Sequence, residues 1–228
     1  MSLFLNNFVF FGSSEFSVVV LETLKKLGFL PSLIITLPDS PSGRGLKLTP
    51  SLTKLWAIEN KVEFIQPNKF DDDVFFRLST FDFQLAIVAS YGKIIPQKVL
   101  DIPKYGSFNI HPSLLPKYRG PSPLQSQILA DEKEVGVTVI KMDDQVDHGD
   151  IVESLKLKVE SFKNQPPSFS ELGKELFIKG TGLLIEALPK LVNGEISLIS
   201  QDDSKATFTK KFEKKDGEID LDGDPNKS

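Results

Sequence analysis

Phe8-Val9-Phe10-Phe11-Gly12-Ser13-Ser14-Glu15 sets four apolar residues, a glycine and a polar pair in front of an acid. So short an apolar run, with no alternation, predicts a strand buried on both faces, a tight turn at Gly12 and a serine-capped helix. Val18, Leu21, Leu24 and Leu27 then recur at helical spacing, and Gly28 predicts where that helix stops. Outward from this unit the same grammar repeats. Leu33-Ile34-Ile35 reads as a second buried strand, Leu52 to Ile58 as a helix, Val62 to Ile65 as a strand and Asp71 to Leu78 as a helix. Leu85-Ala86-Ile87-Val88-Ala89 is another continuous apolar run, predicted to be central. Unbroken apolar strands separated by helical stretches belong to a mostly parallel sheet covered on both faces. The expected fold is therefore α/β and doubly wound, with a Rossmann-like core.

Further on, Gly106 to Ile110 reads as a strand, Pro123 to Ala130 as a helix and Val135 to Ile140 as a strand. Ile151-Val152-Glu153 begins another strand, and Ser170 to Leu191 carries a helical pattern closed by Asn193-Gly194. Two stretches interrupt the pattern. Pro38-Asp39-Ser40-Pro41-Ser42-Gly43-Arg44-Gly45 is so rich in proline and glycine that an irregular loop is expected through Pro50. From Gln201 onward half of the residues are charged and few are large and apolar, which predicts a solvated extension beyond a domain spanning residues 1–200.

The 228 residues are 40% hydrophobic and 25% charged, with a formal net charge of -4. These are ordinary globular proportions, and no overall positive field draws the chain to nucleic acid or acidic lipid. With no cysteine, thiol nucleophiles, disulfides and Cys-ligated zinc are excluded, and with only two histidines no metal site is expected. The N-terminal residues lack a basic region and a cleavage site, and no apolar run reaches membrane-spanning length. A cytoplasmic protein, monomeric and independent of membranes, is the expectation. Generic phosphate motifs are missing. Only Gly12 occupies the first strand–helix turn, so the three-glycine dinucleotide fingerprint is absent, and no Gly-x-Ser-x-Gly elbow occurs.

Two polar constellations remain. Asn109 and His111, in Asn109-Ile110-His111-Pro112-Ser113-Leu114-Leu115-Pro116, are two apart at a strand end, so both side chains leave one face. The carboxyl ends of strands are where open α/β sheets bind ligands. Spacing alone is equally compatible with a turn-capping asparagine and a satisfied histidine. Met142-Asp143-Asp144-Gln145-Val146-Asp147-His148-Gly149-Asp150 lies between two predicted strands. An acidic turn explains Asp143, Asp144 and Asp150, and Asp147 differs from them only if the fold returns it to His111.

Together these motifs resemble the methionyl-tRNA formyltransferases, within the wider group that uses 10-formyltetrahydrofolate. In order they are Phe11-Gly12-Ser13-Ser14-Glu15-Phe16, Pro38-Asp39 through Gly43-Arg44-Gly45, and Ala89-Ser90-Tyr91-Gly92-Lys93-Ile94-Ile95-Pro96. Then come Asn109 through Gly120, Val146-Asp147-His148-Gly149-Asp150, and Lys214-Lys215-Asp216-Gly217-Glu218-Ile219-Asp220. The resemblance covers almost the whole chain. It departs at Ser13-Ser14, where Thr-Pro is usual, at Pro121-Ser122, where two alanines are usual, and at His148, where a small residue or threonine is usual.

The resemblance implies formyl transfer from 10-formyltetrahydrofolate to the α-amino group of initiator methionyl-tRNA. It assigns Asn109 to the oxyanion, His111 to the same oxygen and to proton movement, and Asp147 to holding His111 and accepting the amine proton. It places the folate along Tyr91, Gly92, Ile94, Ile95 and Pro96, with Ser113, Leu114, Leu115 and Pro116 and the loop residues Asp143, Val146 and Asp147. It gives Arg44, with Lys47, to the tRNA acceptor stem. Lys210, Lys211, Lys214 and Lys215 read better as a solvated face. A C-terminal β-barrel that helps hold tRNA in the family is expected to be absent. Two rivals carry the same centre: a sugar N-formyltransferase acting on a nucleotide-linked amino sugar, and a folate-binding module without turnover. The Gly43-Arg44-Gly45 loop and the late Asp-Gly-Glu-Ile-Asp segment oppose the first, and retention of all three polar groups opposes the second.

Overall fold

In chain order the elements are β1 (Phe8–Phe11), α1 (Glu15–Lys26), β2 (Leu33–Ile35), β3 (Ser40–Ser42), β4 (Lys47–Thr49), α2 (Leu52–Glu59), β5 (Phe64–Ile65) and α3 (Asp72–Thr80). They continue with β6 (Leu85–Val88), α4 (Gln97–Leu100), β7 (Ser107–His111), α5 (Pro123–Leu129), β8 (Glu134–Lys141), β9 (Ile151–Lys158) and α6 (Phe169–Val192). The computed structural model describes residues 7–42, 46–162 and 166–217.

Seven strands form one sheet in the order β5-β2-β1-β6-β7-β8-β9. β5 through β7 pair in parallel, while β7–β8 and β8–β9 are antiparallel. The unbroken apolar runs are explained by burial on both faces. Phe8 and Phe10 of β1 point into one core with Leu85 and Ile87 of β6, and Val9 and Phe11 point into the other with Ala86 and Val88. α1, α2 and α6 cover the first face, and α3 and α4 the second. β9 alternates instead, its Lys156 and Lys158 exposed, as suits a sheet edge that must not recruit further strands.

Chain direction across the sheet reverses between β1 and β6, because β1 leads outward to β2 and β5 whereas β6 leads the other way to β7. Such a switch point leaves a crevice at the strands' carboxyl ends. Gly12 turns the chain there. A Cβ at this position would lie 2.5 Å from the Phe10 ring and 2.7 Å from Ser17, so only glycine fits. Ser14 then caps α1 in a reciprocal box with Ser17. On the other side α6 comes so near β7 and β8 that a Cβ at Gly180 would lie 2.6 Å from Ile110 and from Val137. That contact seats the strand carrying Asn109 and His111.

The stretch from Pro38 to Pro50 differs from the expected irregular loop. β3 and β4 form a two-stranded antiparallel ribbon, with Ser40 opposite Thr49 and Pro41 opposite Leu48. Proline is tolerated because a ribbon of two strands consists entirely of edges. The segment after residue 200 is also structured at its start. Arg119 N–H donates to Thr207 C=O at 2.9 Å, and Thr209 N–H donates to Arg119 C=O at 2.7 Å, so residues 207–209 lie along the loop after β7. Among the described residues no helix is long and apolar enough to cross a membrane.

Candidate active site

β7 delivers Asn109 and His111 to one face, and the loop between β8 and β9 delivers Asp147. Asp147 adopts a left-handed backbone (φ 49°), a region that aspartate enters more readily than most residues. Its Oδ1 accepts a hydrogen bond from Asn109 Nδ2 at 3.1 Å and lies 3.4 Å from His111 Nδ1. Oδ2 accepts from the Gly120 N–H at 2.8 Å. Residues 109, 111 and 147, read separately in the sequence, therefore converge on one carboxylate.

The imidazole's proton state follows from its partners. His111 Nε2 lies 2.9 Å from the Tyr118 carbonyl, which can only accept, so Nε2 carries a hydrogen. A neutral ring would then turn the Nδ1 lone pair toward the Asp147 carboxylate. The charged form avoids this. His111 is 4% exposed, and burial pushes its pKa down, but the charge and hydrogen bonding of Asp147, with the Tyr118 carbonyl, outweigh burial and hold it above the ordinary 6.5. For Asp147, burial pushes upward, while His111, Gly120 and Asn109 hold the carboxyl below 3.8.

This pair links stability to pH with a definite sign. Asp147 contributes stability that is present above 3.8 and lost as pH falls through its lowered value. His111 contributes stability that is present below 6.5 and lost as pH rises through its raised value. The advantage of wild type over His111→Gln in melting temperature is therefore expected to peak between those values and shrink toward alkaline pH. Thermal melts from pH 4 to 9 check this, and a difference that grows above neutrality would contradict it.

A cavity of about 740 Å³ opens beside the three residues at the switch point, a volume typical of small-molecule sites. Tyr91, Gly92, Ile94, Ile95, Asp143 and Val146 line it, as do all three polar residues. Ile94 is 78% exposed and Val146 53%, which leaves apolar surface at its mouth. Tyr91 differs from the others: its hydroxyl is buried without a hydrogen-bond partner among the described residues, and burial pushes its pKa up to about 12.

Pro96, Ser113, Leu114, Leu115 and Pro116 do not line the cavity. Pro96 precedes α4, where its carbonyl accepts from the Val99 N–H at 2.8 Å. The Ser113 hydroxyl donates to Lys117 C=O at 2.7 Å, the Leu115 N–H donates to Thr138 Oγ1, and Leu114 lies against Gly136. Ser113, Leu114 and Leu115 thus shape the turn that follows β7. Lys47 sits exposed on β4, outside the cavity lining, while Arg44 and the Glu218-Ile219-Asp220 segment lie outside the described residues.

Sequence reasoning missed the cavity's aromatic side. Phe16 of α1 and Phe177 of α6 stack at 5.2 Å, and Phe169 meets Phe16 edge-on at the same distance. All three line the cavity. Their helical spacing carries the signal of core packing, and nothing local distinguishes a core phenylalanine from a wall.

The fold and this centre define a class, and the chain belongs to the formyl transferase family, whose pattern it matches over residues 6–175. A methionyl-tRNA formyltransferase of Thermotoga maritima is 42% identical over 219 residues, 95% of this chain and 68% of that protein. A solved methionyl-tRNA formyltransferase from Clostridium thermocellum superposes with a TM-score of 0.58 at 18% identity, covering 97% of this chain and 79% of that one. The N-formyltransferase from Helicobacter canadensis, solved with folinic acid and dTDP-3-aminofucose, gives a TM-score of 0.63 at 20% identity, covering 90% and 70%. At such identities the two solved structures speak for the fold.

Proposed function

We propose that the protein transfers a formyl group from 10-formyltetrahydrofolate to the α-amino group of initiator methionyl-tRNA, acting as a cytoplasmic monomer. The observation that carries the reading is the convergence of Asn109, His111 and Asp147 beside the cavity, in a chain 42% identical to a methionyl-tRNA formyltransferase. The catalytic body is residues 1–200, with the packed start of the charged segment laid against it.

The acceptor needs no activating nucleophile on the protein. An α-amino group titrates near ~7.7–8.0, so a useful fraction is neutral at pH 7. Its nitrogen attacks the formyl carbon, and the carbonyl oxygen becomes an oxyanion. Asn109 spends one Nδ2 hydrogen on Asp147 and keeps the other for that oxygen. Both nitrogens of His111 are occupied, so the ring stabilises the oxyanion through its positive charge. As the tetrahedral intermediate collapses, the bond from the carbon to the folate nitrogen breaks. The amine proton passes by way of Asp147 and water to that departing nitrogen. Its lowered pKa makes Asp147 a weak base, suited to relaying a proton and not to keeping it.

The folate lies along Tyr91 to Ile95 and the loop from Asp143 to Asp147, because these segments supply the cavity's mouth and its exposed apolar surface. The segment from Pro38 to Pro50, which carries Arg44 in its sequence and Lys47 on β4, reaches the acceptor stem. With a net charge of -4, phosphate affinity is local and weakens with salt. The test offers 10-formyltetrahydrofolate with either methionyl-tRNA or a nucleotide-linked amino sugar. Formylmethionyl-tRNA is expected. Formylation of the sugar alone sinks the reading, and so does folate binding without turnover on either acceptor.

A further inference from the structure

The loop bearing Asp147 and the loop bearing Gly120 are joined by a side chain outside the formyl transferase match. Ile199 pairs with Ile151 through two backbone hydrogen bonds of 2.8 and 2.9 Å, which brings residue 201 beneath the β8–β9 loop. There Gln201 Nε2 faces three consecutive carbonyls, those of Asp147, His148 and Gly149, at 2.9, 2.9 and 2.8 Å. Its Oε1 accepts from Arg119 Nε at 3.1 Å and Nη2 at 2.9 Å. The amide's orientation is chemically determined, since carbonyls only accept and guanidinium only donates.

Arg119 is itself fixed. It is 3% exposed, its Nη2 also donates to Asp203 at 2.8 Å, and its guanidinium carbon lies 5.9 Å from the Phe208 ring. On either side of it in the chain stand the two backbone groups that hold the centre. The Tyr118 carbonyl accepts from His111, and the Gly120 N–H donates to Asp147. One amide thus ties the backbone that grips His111 to the backbone that carries Asp147.

We propose that Gln201 is a positioning residue for formyl transfer, setting the separation of His111 and Asp147 by clamping the 118–120 and 147–149 segments to each other. The inference rests on the proposed formyl transfer for its kinetic arm only. Gln201→Met keeps the length and removes the donors and the acceptor. Gln201→Glu keeps the acceptor for Arg119 and turns lone pairs toward the three carbonyls.

Measured on the full chain, both variants are expected to lose about 10–100-fold in kcat, the scale of a misplaced catalytic group, with KM for either substrate within about threefold. The His111 titration, followed by NMR without substrate, is expected to move down toward the ordinary value in Gln201→Met. Unchanged kcat in Gln201→Glu overturns the proposal, as does a kcat loss in Gln201→Met with the His111 titration unmoved. Unfolding of both variants overturns it in favour of a purely structural role. Should wild type fail to formylate methionyl-tRNA, the functional reading falls while the titration still decides the role of Gln201.

Discussion

Asp147→Asn is expected to lower kcat by about 10²–10⁴-fold while the protein stays folded. The carboxylate meets three donors, with Asn109 Nδ2 and His111 Nδ1 on one oxygen and the Gly120 N–H on the other. A carboxamide has one oxygen and one NH2, so whichever way it turns, a donor faces a donor. With the NH2 toward Asn109 and His111 the ring loses its reason to be charged, and with the NH2 toward Gly120 a backbone hydrogen bond is lost. The His111 titration is expected to fall, because burial then acts with little opposition. NMR titration and steady-state kinetics together check this. A near-wild-type rate with an unmoved titration would remove Asp147 from the mechanism.

The second large effect concerns the proposed oxyanion donor. Asn109→Ala is expected to cost about 10²–10³-fold in kcat, the usual loss for one such donor, with KM for the folate little changed. Asn109→Asp provides the contrast. It keeps the shape but sets a carboxylate 3.1 Å from Asp147, so it should be at least as slow and also melt at a lower temperature. If Asn109→Ala kept more than a tenth of the rate in a folded protein, the oxyanion assignment would be wrong.

The strands were legible because burial on both faces writes itself as an unbroken apolar run, as in Phe8–Phe11 and Leu85–Val88. Asn109 and His111 were legible as neighbours on one strand face. Asp147 was legible only through the family resemblance, since spacing alone leaves it among Asp143, Asp144 and Asp150, and the fold then sets it against the imidazole. His148 beside it pairs with Asp143 at 2.6 Å and lies 3.5 Å from Asp203, so the acidic turn holds its own cation. The β3–β4 ribbon was hidden by its prolines, which signal a loop unless both strands are edges. Gln201 was hidden by composition. Half of the segment it opens is charged, and charge content cannot show that one amide is held against three carbonyls.

The hydrogen bond between the Thr209 hydroxyl and the Arg119 carbonyl joins positions 90 residues apart. During synthesis the sheet and its covering helices can collapse before residues 201–209 leave the ribosome. Contacts of such long sequence separation close late. On the proposed role of Gln201, a nascent chain passes through an interval in which it is compact but slow, and it reaches its full rate of formyl transfer only when the stretch that follows α6 has docked.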